Sequence, residues 1–190
     1  MKKYNLGVEI GCGDRYSSEL INRGEEFCSI KLIEPNPILY RDIASAPNPY
    51  ENISVGNFAI TKECREEDMY LFGYCTFMES ANSFLQLSIE ENGLRNWALL
   101  KKKVRCFAMD FLDKGGIDYL ILTNNGCELD VLNFMVSRPE IIRTKYYCHN
   151  QKHWQYYNQV TAWMDKNGYI GRVTEMSQYG TFLNLQFERK

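Results

Sequence analysis

Histidine is nearly missing from this chain: His149 and His153 are the only two among 190 residues. They stand four apart and could share a metal on one helix turn, but no clear carboxylate accompanies them, so no metal is expected. The cysteines Cys12, Cys28, Cys64, Cys75, Cys106, Cys127 and Cys148 include no Cys-x-x-Cys pair, and a zinc site therefore lacks its usual spacing. Their odd number and dispersal point to free thiols in a reducing compartment. There is no excess of basic charge. Lysine and arginine total 22 against 24 acids, the net charge is -2 and the pI about 5.8. A nucleic-acid footprint usually needs a basic stripe and a pI above about 9, so nucleic acid is not an expected partner. The single basic cluster, Lys101-Lys102-Lys103 with Arg105, reads as a solvated turn. No run approaches the roughly 20 apolar residues of a membrane helix. Met1-Lys2-Lys3 leads into Tyr-Asn-Leu-Gly, not into the apolar core of a signal peptide. A cytoplasmic protein with no membrane span is the expectation.

What is present is a hydrophobic share of 45% and an aromatic share of 14%, enough for one real core. One domain over 1–190 is expected, organised around Leu6 to Pro37. Val8-Glu9-Ile10-Gly11-Cys12-Gly13 reads as a buried strand running into a glycine turn. A helical segment follows from Ser17 to Asn22, and a second strand, Ser29 to Ile33, ends on Glu34-Pro35-Asn36-Pro37. Strand, glycine loop, helix, strand and acid together open a nucleotide-binding α/β sheet. Glycine lets backbone N–H groups approach a ligand, and a strand-tip carboxylate can accept both hydroxyls of a ribose. The dinucleotide fingerprint Gly-x-Gly-x-x-Gly fails, because Tyr16 stands at its third glycine. Acid-x-Gly-x-Gly followed by a strand-terminal acid suits a cationic ligand that carries an amino acid and an adenosine. S-adenosyl-L-methionine is such a ligand.

Further along, Pro37 to Ala46 reads as a helix opened by proline. Pro47-Asn48-Pro49-Tyr50 is a loop: its residue order and its place before a strand separate it from the Asn-Pro-Pro-Tyr box of amino-group methylases. Asn52 to Ile60 alternates as a third strand, with Asn57 near its end, either beside an adenine ring or as a plain strand-end amide. Thr61 to Asp68 reads as a charged loop and Met69 to Phe77 as strand-like. Glu79 to Asn96 is polar and poorly periodic and reads as a mobile cover over the site or an edge hairpin with a loop, within a mobile insertion expected around 61–103. Lys103 to Met109 is strand-like and ends in Asp110, which either contacts adenine or caps the next turn. Ile117 to Leu122 is an apolar strand. It ends in Thr123-Asn124-Asn125-Gly126-Cys127-Glu128, and ligands in open α/β sheets collect beyond such ends. A helix through Leu129, Leu132, Met135 and Val136 follows, then a strand from Pro139 to Tyr147. The helix of Trp154, Tyr157, Val160 and Met164 stops at Asn167-Gly168, and a final strand pair covers Tyr169 to Thr174 and Thr181 to Phe187. The expected fold is α/β, a three-layer sandwich on a mostly parallel sheet.

The stretches Val8 to Gly13, Leu32 to Pro37 and Val104 to Leu132 resemble the FkbM-type branch of the Rossmann-like, S-adenosylmethionine-dependent methyltransferases. The likeness runs from Val8 to about Phe187. It implies the class I methyltransferase fold, a seven-stranded mostly parallel sheet with an antiparallel C-terminal strand. It implies Glu9, Gly11 and Gly13 around the methionine part of the cofactor and Glu34 on the ribose. It also implies methyl transfer to oxygen, on a sugar, a glycan or another small molecule. One departure stands out: the family ends its fourth strand in Asp-x-Glu-Gly-x-Glu, whereas this chain has Thr123 and Asn125 in place of the first two acids and keeps only Glu128. Loss of two carboxylates argues against a divalent metal at that tip. It also leaves open a domain that binds cofactor without transferring methyl groups. For an alcohol acceptor the candidate general bases are His149, after the fifth core strand, and Glu128, which could equally serve a helix N-terminus.

Overall fold

The computed structural model describes residues 3–47, 50–72, 75–78, 100–124, 126–147, 151–176 and 182–190. Its centre is a seven-stranded sheet built from β1 (Tyr4–Ile10), β2 (Phe27–Ile33), β3 (Ile53–Gly56), β8 (Tyr119–Leu122), β9 (Ile141–Tyr147), β10 (Tyr169–Met176) and β11 (Phe182–Arg189). The spatial order is β3-β2-β1-β8-β9-β11-β10. β1 runs parallel to both β2 and β8, and β8 parallel to β9. Only β11, antiparallel to β9 and β10, breaks the common direction. The chain builds outward from β1 on one side, then returns to β8 on the other. The junction of β1 and β8 is thus the point where strand order reverses.

Both faces of the sheet are covered, which is why the central strand β8, Tyr-Leu-Ile-Leu, reads as an unbroken apolar run. On one face the short helix α1 (Glu19–Asn22) and α2 (Pro37–Ser45) enclose Leu20, Phe27, Ile30, Leu32, Ile43 and Tyr119. On the other, α3 (Met109–Leu112), α4 (Glu128–Phe134) and α5 (Gln151–Lys166) pack over Val8, Ile10, Leu120, Leu122 and Ile142. Pro37 holds the first turn of α2 and Asn36 caps it, its Oδ1 accepting from the Ile38 N–H at 2.9 Å. This is the expected three-layer arrangement of the class I methyltransferase fold.

Between β3 and β8 a second sheet of four strands is inserted, in the order β4-β7-β5-β6. Its strands are β4 (Ala59–Thr61), β5 (Arg65–Phe72), β6 (Cys75–Met78) and β7 (Leu100–Ala108). Three expectations change here. The strand foreseen over Asn52 to Ile60 is two strands in different sheets. They part at Asn57, whose side-chain N–H groups donate to the carbonyls of Glu34 and Pro35. The segment Thr61 to Asp68 is not all loop, because β5 begins at Arg65. Lys101 to Lys103 do not form a turn. They lie in β7 opposite Asp68 to Tyr70 of β5, and Asp68 forms ion pairs with Lys101 at 2.6 Å and Lys103 at 3.4 Å. Charge matching between neighbouring strands replaces the apolar alternation that was sought. Glu79 to Asn96, expected as a mobile cover or an edge hairpin, lies outside the described residues.

Gly7, in mid β1, admits no side chain. A Cβ there would sit 2.8 Å from the Phe27 ring and 3.2 Å from Leu20 Cδ1. Gly7→Val is expected to destabilise the protein by about 1–3 kcal/mol through overpacking, read as a lower urea midpoint at unchanged slope.

Candidate functional site

The carboxyl ends of β1, β2 and β8 meet in a small cavity lined by Ile10, Gly11, Pro35, Ala59, Ile60, Met78, Thr123, Asn124 and Cys127. Its volume is about 30 Å3. The inserted sheet supplies Ala59, Ile60 and Met78, so the cavity lies between the two sheets. A wider groove of about 240 Å3 opens elsewhere, between Arg15, Tyr16, α1, α2 and β3. Its described lining carries no carboxylate.

Gly11 turns the chain out of β1 with φ of 79°. A Cβ there would come within 2.6 Å of the Thr123 carbonyl oxygen, so only glycine lets the tips of β1 and β8 approach this closely. The loop is held from both sides. Gly11 and Cys12 donate their N–H groups to the Ile33 carbonyl, and Gly13 donates to Glu34 Oε2 at 2.8 Å. Thr123 reinforces the contact, its hydroxyl donating to the Gly11 carbonyl.

Glu34 is the joint of this arrangement. It is 2% exposed. One carboxylate oxygen takes the Gly13 N–H and the other takes the Asn36 N–H at 2.8 Å. With Asn57 bonded to the Glu34 and Pro35 carbonyls, the tips of the first three strands are stitched together at one turn. Burial pushes the Glu34 carboxyl up to about 7, against the lowering pull of its two N–H donors.

Glu9 faces the opposite way from the cavity. Its carboxylate accepts from Ser18 Oγ at 2.7 Å, from the Glu19 N–H at 3.2 Å and from the Leu20 N–H at 3.1 Å. It therefore closes the start of α1 and satisfies N–H groups that a four-residue helix leaves open. Burial again dominates and pushes its carboxyl up to about 7. Glu128, first residue of α4, is 3% exposed. Its Oε2 accepts from Tyr156 Oη and from the Gly126 N–H, each at 2.9 Å, and burial raises its pKa.

Of the residues singled out in the sequence, Gly11, Gly13, Glu34 and Asn57 are thus brought together at the strand tips. Glu9 and Glu128 each serve the start of a helix. Asp110 is exposed on the first turn of α3 and caps nothing: the cap position falls to Ala108, without a side-chain bond. His149 lies outside the described residues. Two residues escaped sequence reasoning. Tyr156 was hidden beside the periodic Tyr157, and Asn124 was noted only as a neighbour of the altered acids. Among the described residues no cluster of three His, Cys, Asp or Glu could hold a metal, and no helix is long and apolar enough to cross a membrane. The cysteines Cys12, Cys28, Cys64, Cys106 and Cys127 carry free thiols.

A carboxyl whose pKa is higher in the fold than in the unfolded chain favours folding at low pH. It loses that contribution as pH rises to the folded-state value. For Glu9 and Glu34 the window runs from the ordinary 4.5 to about 7. Carboxyl carbon NMR is expected to give both residues titration midpoints near neutrality. Chemical denaturation is expected to show stability falling across the same window, with a shallower fall in Glu34→Gln.

No family model and no curated protein sequence matches the chain. Solved structures do. A methyltransferase FkbM from Methylobacillus flagellatus KT superposes with a TM-score of 0.62 at 11% identity, over 98% of this chain and 44% of that one. A precorrin-6y C5,15-methyltransferase from Geobacter metallireducens GS-15 gives 0.52 at 10% identity, over 100% of this chain and 82% of that one. The N-methyltransferase NodS from Bradyrhizobium japonicum WM9 gives 0.51 at 10% identity, over 99% and 87%. This chain spans less than half the length of the FkbM structure. At such identities the likeness speaks for the fold alone. The chain has the class I, Rossmann-like methyltransferase fold.

Proposed function

We propose that the protein is an S-adenosylmethionine-dependent methyltransferase that acts on a hydroxyl oxygen of a sugar, a glycan or another small molecule. The observation that carries this reading is Glu34, a buried carboxylate at the tip of β2 joined to the Gly11–Gly13 loop at the switch point of the sheet. The chemistry fits the cofactor. Each Glu34 oxygen accepts one N–H, and a carboxylate offers about four acceptor positions, so capacity remains for two ribose hydroxyls. Gly11 and Gly13 present bare backbone, on either side of the buried Cys12, where the methionine part would lie. Bound there, the cofactor supplies an electrophilic methyl group. The protein's own task is alignment of an acceptor and removal of its proton.

The cavity of about 30 Å3 is far smaller than a nucleoside. A ligand of that size enters only as the Pro35 turn or the inserted sheet shifts, and hydrogen exchange at Gly11 to Gly13 is then expected to change on binding. For the base, His149 and Glu128 are the candidates. Glu128 must first part from Tyr156 to reach an acceptor.

A second reading, a domain that binds cofactor or a partner without catalysis, is favoured by Thr123. The resemblance puts an acid there, and this chain spends the hydroxyl on the Gly11 carbonyl. Calorimetric titration with S-adenosylhomocysteine is expected to give one site per chain. Glu34→Ala should weaken it at least about tenfold, since hydrogen bonds to charged groups are worth about 1.5–3 kcal/mol. No heat of binding, or unchanged affinity in Glu34→Ala, contradicts the first reading and the cofactor-binding form of the second, and leaves only a partner-binding domain. Release of S-adenosylhomocysteine with a defined hydroxyl acceptor separates the first reading from the second.

A further inference from the structure

Asn124 follows β8 and lines the cavity between the two sheets. Both polar atoms of its side chain, Oδ1 and Nδ2, are buried and make no hydrogen bond. Buried amides are nearly always paired, so an amide left open on both atoms calls for a reason. The neighbouring polar groups are already engaged: the Thr123 hydroxyl donates to the Gly11 carbonyl and the Gly11 N–H to the Ile33 carbonyl. The side chains of Ile10, Ala59, Ile60 and Met78 make apolar walls.

This setting selects its guest. A charged group would lose its water with no opposite charge on the cavity lining. A hydrocarbon would leave the Asn124 amide unmade. A neutral group with a C=O or ring nitrogen beside an N–H, in one plane, satisfies Oδ1 and Nδ2 together. A carboxamide has such an edge, and so does a nucleobase, which asparagine reads in this two-bonded way. The size agrees: about 30 Å3 is room for roughly two waters, and a carboxamide head has a similar bulk.

We infer that Asn124 is a recognition residue for a neutral amide-type edge on a small ligand of the strand-tip crevice. The edge has two sources, the adenine of an adenosyl cofactor or a carboxamide on the acceptor. Only the choice of source rests on the methyl-transfer reading; the recognition itself does not.

The test follows the side-chain NH2 signal of Asn124 by NMR in the full chain, assigned by its loss in N124L. The probes are acetamide, acetate and methylammonium. A saturable shift with acetamide alone is expected. Reported from the Gly11 amide, acetamide affinity should drop at least about tenfold in N124L, which loses both the donor and the acceptor. The thermal midpoint of N124L should equal or exceed that of the wild type, because the free protein loses no hydrogen bond. Silence toward acetamide, an equal response to acetate or methylammonium, or a clearly lowered midpoint in N124L would overturn the inference. Competition by adenosine assigns the edge to the cofactor. An acetamide shift that persists under saturating S-adenosylhomocysteine assigns it to the acceptor. An intact acetamide shift without any S-adenosylhomocysteine binding defeats the methyl-donor reading and leaves the role of Asn124 standing.

Discussion

The site depends on one buried carboxylate. Glu34 takes the Gly13 N–H in one oxygen and the Asn36 N–H in the other, and its own carbonyl receives the Asn57 amide. Three successive strand tips are thereby fixed around a single turn. A carboxylate in so dry a place is costly, and the donors that face it offset part of that cost. The same bonds set the direction of the β1 loop and the start of α2. They also turn the chain out of the main sheet at Asn57, from which the inserted sheet begins. Removing the side chain would leave the Gly13 and Asn36 N–H groups unpaired together, because both of its oxygens are in use.

Around that joint, buried acids are used sparingly and locally. Glu9 closes α1, and Glu128 closes the start of α4 with Tyr156. Where the resembled family has a further acid, Thr123 contributes a hydroxyl that ties β8 to β1. The result is a strand-tip region fastened by hydrogen bonds, with Asn124 as the one polar side chain, among the described residues of the cavity wall, that is buried and unbonded. The inserted sheet shields it from above with Ala59, Ile60 and Met78. Stability at this end of the sheet and access to it are therefore opposed, and any sizeable ligand must displace part of what holds the tips together.

The parallel sheet was legible because its strands are buried on both faces. Leu120 to Leu122 is an apolar run, Val8 to Ile10 and Ile30 to Ile33 are apolar but for Glu9 and Lys31, and Gly11, Gly13 and Pro37 mark the turns between strand and helix. The inserted sheet was hard to see for the opposite reason. β5 begins Arg-Glu-Glu-Asp, which looks like a loop until Arg105 and Lys103 are set opposite Glu66 and Asp68 in register. The complementary charges were a usable signal, but they lie more than 30 residues apart in sequence and meet only through tertiary pairing. At the site, Glu34 was identifiable from its place after an apolar strand. That Glu9 serves α1 could not be read the same way, because it turns on which face of β1 the helix covers. Asn124 was invisible in principle: an amide becomes informative only when its lack of partners is known.

A crystal structure of the chain with S-adenosylhomocysteine bears most directly on this account. The ribose hydroxyls are expected to lie against Glu34, with the homocysteine end along Gly11 to Gly13 and the Pro35 turn moved to admit them. A ligand bound in the groove beside Arg15 and Tyr16 instead, with Glu34 still closed on Gly13 and Asn36, would contradict it.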